Sequence, residues 1–574
     1  DEVRDLLLEE VAKLREGDFD EKLIEATINN YKMQLMRSFE ENDSRAILYV
    51  YSFISGADWA DEVARLDRMS KITKQDVVEW ANKYLGPESY AIIYKREGKD
   101  PDEQKIAAPK ITPIVTNRDS QSEFLSEIQT SQVQPIEPVF VDYKKDMSQF
   151  EAQPGIDVLY KKNETNDIFT LIYVFNTGTE NDPALNLAFN YLSYLGTDKM
   201  TAEEIASEMY DIACSFYMNA GANQSSIQIT GLSENMGKAM EIVEGLIAGA
   251  KPDEAILENC KADMLKSRAD AKLNQSRCFG ALQRYLFYGG DFIRRTTLTD
   301  PALQALTSEQ LLAKIGGLMG KQHEVLYYGP QKEAEVKSAL AEHHKVATDL
   351  QPLEKKFSTL LPTDANKVVL AQYDAKQLYY LQFSNRGEKF DVAADPEITL
   401  YNEYFGGGMN TIVFQEMREA RGLAYTAWAT LATPSNANGD YSYYAFIATQ
   451  NDKMQKAVEA FDDIINNMPE SEKAFGIAKE ALVSRLRTER TVKDGVLWSY
   501  LRARDLGLDA PRDKQIFEKV QSMTLDDVKA AQQKWVKGRK YVYGILGDIQ
   551  DLDLNYLKTL GPIQTVSQEE IFGY

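Results

Sequence analysis

The stretch ITKQDVVEWANKYLGPESYAIIY at residues 72–94 returns twice in altered form, as LTSEQLLAKIGGLMGKQHEVLYYG at 306–329 and MTLDDVKAAQQKWVKGRKYVYGI at 523–545. Each copy opens on a threonine, Thr73, Thr307 or Thr524, with Asp76, Gln310 or Asp527 three residues on. That spacing lets the two side chains satisfy free N–H groups at a helix start. Each helix then runs into a short β-branched and aromatic stretch that reads as a strand, Tyr90–Lys95 in the first copy. A period this long means repeated whole domains rather than a solenoid of short units.

Upstream landmarks repeat as well. Asn176-Thr177-Gly178 pairs with Asn385-Arg386-Gly387, 209 residues on, and Tyr194-Leu195-Gly196 with Tyr404-Phe405-Gly406, 210 residues on. Tyr217 pairs with Tyr425 at an offset of 208, and Thr307 with Thr524 at 217. The first copy shows only its closing part, and the chain lacks an initiator Met. The expectation is that it forms the C-terminal part of a longer protein.

Single hydrophobic cores stop growing near ~250–300 residues, so 574 residues imply several domains. A hydrophobic content of 44% and a charged fraction of 27% suit a globular protein. The net charge of −23 argues against a nucleic-acid partner, whose phosphates it would repel. No apolar run approaches the ~18–20 residues of a membrane span. Cys214, Cys260 and Cys278 follow neither a disulfide framework nor a CxxC pattern.

Residues 1–96 read as mostly helical. DEVRDLLLEEVAKLREG sets Val3, Leu6, Leu7, Val11 and Leu14 on one face and ends at Gly17. Residues 97–140 turn polar, with recurrent prolines, and read as an interdomain linker. The next unit, 141–345, contains the strands FTLIYVFNTG and SSIQITGL, then a helix carrying Met236, Met240, Val243 and Ile247. A further unit, 367–550, repeats the order with LYYLQFSNRG, DYSYYAFIAT and a helix carrying Met454, Val458, Phe461 and Ile465. The fold class is α+β, with helices packed on a mostly antiparallel sheet in each repeat.

Most catalytic signatures are absent. His323, His343 and His344 form no HExxH or HxxEH pattern, and adjacent His343 and His344 point about 100° apart on a helix. They read as surface or partly buried side chains. There is no GxSxG elbow, and Cys214 sits in the apolar run IACSFY, which suits core packing. Gly406-Gly407-Gly408 lacks the GK[ST] of a phosphate loop and reads on its own as a turn.

The segment that begins with those glycines is more specific. YFGGGMNTIVFQEMREARGLAYTAWA, residues 404–429, resembles the insulinase/pitrilysin (inverzincin) family of zinc metallopeptidases. The resemblance rests on Gly406, Gly407 and Gly408, on Phe414, on Arg418-Glu419 and on Arg421-Gly422-Leu423-Ala424-Tyr425. It implies homologous α+β domains like those of LuxS and the processing peptidases, two per half, closing into a chamber around a peptide. On that basis residues 1–96 end a second domain, 141–345 form a third and 367–550 a fourth. Where the family's first domain carries its HxxEH zinc motif, the third unit here has Leu187, Asn190 and Tyr191, so it is a degenerate, non-catalytic copy. Zinc is expected in an N-terminal domain outside this chain, which would itself hold none and be inactive.

The resemblance further implies that Arg418 and Tyr425, seven residues apart, contact the substrate backbone beside that zinc, with the three glycines in the same substrate-binding region. A guanidinium suits carbonyl oxygens and a phenol can donate to a developing oxyanion. The degenerate unit keeps Tyr217 against Tyr425 but has Tyr210 against Arg418. The expected partners are a peptide substrate and the N-terminal half of the same protein, and the resemblance points to the periplasm or cell envelope. The alternative is a non-catalytic scaffold or partner subunit of a processing-peptidase-like complex. An upstream HxxEH separates the two.

Overall fold

A computed structural model describes residues 2–95, 98, 122–132 and 134–574. The greater part of the 97–140 linker lies outside the described residues. The chain divides into two compact units, one from residues 1–28 and 52–137, the other from 29–51 and 138–574.

In the first unit, helix Glu2–Glu16 packs on helix Lys74–Tyr84. Thr73 and Asp76 form the capping box that their spacing predicts. Gly17, at φ +76°, ends the first helix in the left-handed region open to glycine. Asn82 then ties the pair by donating its amide to the Arg15 carbonyl at 2.7 Å. The strand expected at Tyr90–Lys95 does not form; these residues belong to neither sheet. A β-strand exists only against a neighbouring strand, and the described part of this unit offers none.

The second unit is built on two six-stranded sheets. The first contains β1 (Ser148–Gln153), β2 (Ile156–Lys162), β3 (Ile168–Phe175), β4 (Cys214–Ala220), β5 (Ser225–Leu232) and β6 (His323–Gly329), in the order β1-β2-β6-β3-β5-β4. The second contains β7 (Lys367–Gln372), β8 (Gln377–Ser384), β9 (Thr426–Ala432), β10 (Ser442–Gln450), β11 (Val542–Gly547) and β12 (Ile563–Val566), in the order β12-β7-β11-β8-β10-β9. Most pairings are antiparallel; β2–β6, β7–β11 and β7–β12 are parallel. Capping boxes at Thr307 and Thr524 start the helices that lead into β6 and β11.

Each sheet has helices of its own repeat on one face. Met236, Met240 and Val243 of helix Met236–Gly249 join the core of the first sheet. Met454, Val458, Phe461 and Ile465 of helix Met454–Asn466 do the same for the second. The opposite faces are covered by exchange. Helix Gln275–Thr296, from the first repeat, lays Cys278, Leu282 and Leu286 on Val369, Leu381, Phe383 and Val542 of the second sheet. Helix Gly495–Asp505, from the second repeat, lays Val496, Leu497 and Leu501 on Leu159, Ile172, Val174 and Leu326 of the first. Both sheets are thus apolar on both faces, which accounts for continuous runs such as IFTLIYVF. Among the described residues no helix is long and apolar enough to cross a membrane.

Candidate functional site

The region from Tyr404 to Tyr425 crosses the end of the second sheet at its edge strand, β9. A π-helical turn, Asn402–Gly406, approaches β9 so closely that a Cβ at Gly406 would meet the Ala429 carbonyl at 2.5 Å. Glycine is required there by space. The Asn402 side-chain amide completes the contact, pairing with the backbone of Leu431 in both directions at 2.9 Å. Gly407 and Gly408 are exposed and would tolerate a Cβ. Thr411 closes their turn through its hydroxyl on the Gly408 carbonyl at 2.7 Å.

Helix Ile412–Phe414 passes into a second π-helical turn, Gln415–Ala420, which carries Arg418. Extra backbone in a helix is common at functional positions. Gly422, at φ +57°, reverses the chain, and the Leu423 carbonyl accepts from the Thr449 hydroxyl at 2.5 Å. Tyr425 donates its backbone N–H to Ala448 at 3.2 Å and stands at the head of β9, with 73% of its surface exposed. The Arg418 guanidinium lies 4.9 Å from the Tyr425 ring centroid and 5.0 Å from that of Phe414. Among the described residues its one ion-pair contact is with Glu419 at 3.7 Å. Among the described residues, neither the Arg418 donors nor the Tyr425 hydroxyl have a hydrogen-bond partner. The loop is held by other groups, among them Arg421 on Asp463 at 3.1 Å and Thr449, which no sequence pattern singled out.

The ladders correct one sequence pairing. Phe175 of β3 faces Ser225, and its counterpart Ser384 of β8 faces Tyr443. Counting outward, Gln228 corresponds to Phe446, and their edge-strand partners are Tyr217 and Trp428. Tyr217 is therefore the counterpart of Trp428, and the position matching Tyr425 falls at Cys214. The offset of 208 misplaced it because the repeats drift apart between the helix and the edge strand.

The positions aligned with HxxEH lie on helix Leu185–Leu192. Leu187 and Tyr191, one helical turn apart, are 1% and 0% exposed in the core, while Asn190 faces solvent. The Tyr191 hydroxyl donates to Ser308 at 2.8 Å and accepts from the Asp253 N–H at 2.7 Å. An apolar side chain, a committed phenol and an outward amide do not fit a zinc ion. Among the described residues no group of three or more His, Cys, Asp or Glu side chains is placed to hold a metal. Cys214 packs in the core, where burial pushes its thiol up to about 12.

His343 is partly buried, as the sequence reading has it, but the other two histidines differ from that reading. His323 and His344 are fully buried and hydrogen-bonded to each other through their Nε2 atoms at 2.8 Å. His323 Nδ1 faces the Lys321 carbonyl at 2.8 Å, which can only accept, so Nδ1 carries a proton. His323 Nε2 is then the acceptor for His344, whose Nδ1 meets Glu244 at 2.5 Å. Burial, reinforced by His344, pulls His323 down to about 4. Residues so far apart in the chain give no local signal of this cluster.

Residues 322–482 match the family described as peptidase M16 inactive domain, a segment that includes Arg418 and Tyr425. An uncharacterized zinc protease from Rickettsia bellii is 23% identical over 312 residues, covering 52% of this chain and 70% of the relative. The crystal structure of a peptidase M16 inactive domain from Pseudomonas fluorescens superposes with a TM-score of 0.56 at 18% identity, covering 70% of this chain and 98% of that one. The periplasmic protease PqqL from Escherichia coli superposes with a TM-score of 0.54 at 12% identity, over 95% of this chain and 63% of its own. The chain thus spans less than two thirds of that protease. At these identities the structural likenesses establish the fold.

Proposed function

The chain carries a C-terminal domain of the peptidase M16 family, and from that premise we propose that it is the substrate-binding, chamber-forming part of a zinc metalloendopeptidase. The observation that carries this reading is the Arg418–Tyr425 pair, side by side on an exposed edge and, among the described residues, without a hydrogen bond to the guanidinium or the phenol hydroxyl. A bound peptide would supply what they lack. Arg418 donates its planar fork to backbone carbonyl oxygens, and Tyr425 donates its hydroxyl to the oxyanion that forms at the scissile carbonyl. Stacking against Tyr425 and Phe414 orients the guanidinium without using its donors. In this proposal zinc belongs to an HxxEH motif in an N-terminal domain of the same protein, since Leu187, Asn190 and Tyr191 cannot hold it. The 141–345 unit acts as a non-catalytic wall and the 367–550 unit as the substrate-binding one. The periplasm or cell envelope is the proposed compartment, supported by the likeness to a periplasmic protease.

Elemental analysis and a peptide-hydrolysis assay on the purified 574-residue chain test the division of labour. The chain alone is expected to hold no stoichiometric zinc and to cleave nothing. Adding an N-terminal half that carries HxxEH is expected to restore cleavage. One tightly held zinc per chain would refute the proposal, and an N-terminal half without HxxEH would favour the scaffold role.

A further inference from the structure

In a chain of net charge −23, a hollow on the second unit is lined by three arginines. It lies between helices Glu254–Lys272 and Gln275–Thr296 and is closed by residues 296–298 and the last residues of the chain. Its volume is about 480 Å³. Arg268 comes from the first helix, Arg277 and Arg284 from the second, and Ala271, Gly280 and Ala281 leave the floor low. A Cβ at Gly280 would meet nothing within 4 Å.

The three arginines are not equally engaged. Arg268 is committed: it pairs with Asp300, donates to the Leu298 carbonyl at 2.7 Å and lies 4.3 Å from the Tyr574 ring centroid. Arg284 is half-buried, donates to the Thr296 hydroxyl at 2.7 Å and lies 5.1 Å from the Phe292 ring centroid. No carboxylate reaches ion-pair distance of it among the described residues. Glu180 acts on it only at longer range, and burial lowers its affinity for its proton. Among the described residues the Arg277 guanidinium makes one weak hydrogen bond, to the Ser267 carbonyl at 3.5 Å, and its charge reaches the Tyr574 phenol. A guanidinium withdrawn from water without a counter-charge is costly, and a hollow with unspent donors is where that charge would be compensated.

We propose that this hollow binds a small organic oxyanion, its carboxylate or phosphate group taken by Arg284 and Arg277. Bidentate guanidinium contacts recognise both groups. The site is separate from Arg418 and Tyr425, so anion binding does not depend on the peptidase reading.

Titration calorimetry and thermal melting of the full chain test it, with succinate and inorganic pyrophosphate as separate probes and sodium chloride of equal ionic strength as the control. At least one probe is expected to bind with a Kd below about 1 mM and to raise the melting temperature above the salt control. Succinate alone would assign a carboxylate ligand, pyrophosphate alone a phosphate ligand, and both the shared chemistry. Arg284→Gln is expected to weaken binding roughly tenfold or more. Gly280→Leu, which fills the hollow and leaves every arginine in place, is expected to do the same, so the test survives if Arg284→Gln folds poorly. No binding of either probe, or equal binding by wild type and the folded variants, would overturn the proposal.

Discussion

His323 shows what burial does to a single group. The unfolded chain holds this imidazole near its ordinary value of 6.5, whereas in the folded protein it lies at about 4. Between those values the unfolded state binds a proton that the folded state refuses, so stability falls as pH drops from about 6.5 towards 4. Above 6.5 this group has no effect. The full loss is ~3 kcal/mol, from a little over one kcal/mol per pH unit. Urea unfolding at pH 7 and pH 5 should show a larger drop for wild type than for His323→Gln, and equal drops would contradict the assignment. The same scale separates the glycines: Gly406 is fixed by the Ala429 carbonyl, while Gly407 and Gly408 are free of such contact. The triplet was legible as a motif, but which of its members packs against the sheet required the approach of a strand distant in sequence.

Among the elements, the exchanged helices do most to join the two sheets. Leu286 sits so tightly on β11 that a Cβ at Gly544 would lie 2.2 Å from its Cδ1. Leu497 is its counterpart on the first sheet. Leu286→Ala and Leu497→Ala should each cost about 2–5 kcal/mol, as expected for a cavity in a packed core. Because each helix covers the other repeat's sheet, either change should lower one shared calorimetric transition. Two separated transitions in the single mutants would contradict this coupling. Strands such as SSIQITGL and helices such as Met454–Asn466 were readable from their apolar periodicity. The exchange was not, because periodicity shows that a face is apolar without showing what covers it. The strand expected at Tyr90–Lys95 failed for a related reason: its composition suits a strand, but pairing is not a local property. The register of Tyr217 was misjudged because the repeats drift apart before the edge strand, so no single offset describes the whole repeat.

For the whole molecule, the sequence repeat foretold two sheets of like order, and the structure builds them as mixed, mostly antiparallel sheets with helices on both faces. The proposed function depends on a division of labour, with the proposed peptide contacts at Arg418 and Tyr425 and a helix, Leu185–Leu192, whose residues do not fit zinc. It is tested most directly in a protein that joins an HxxEH domain to this chain, as the proposal requires, by steady-state hydrolysis of a fluorogenic peptide. Tyr425→Phe should lower kcat by roughly 10–1000-fold, the range for loss of one oxyanion donor. Arg418→Lys should also impair turnover, because an ammonium lacks the guanidinium fork, and neither change should alter zinc content. Unchanged kinetics in both folded variants would contradict the account and leave Arg418 and Tyr425 as surface residues without a part in the reaction.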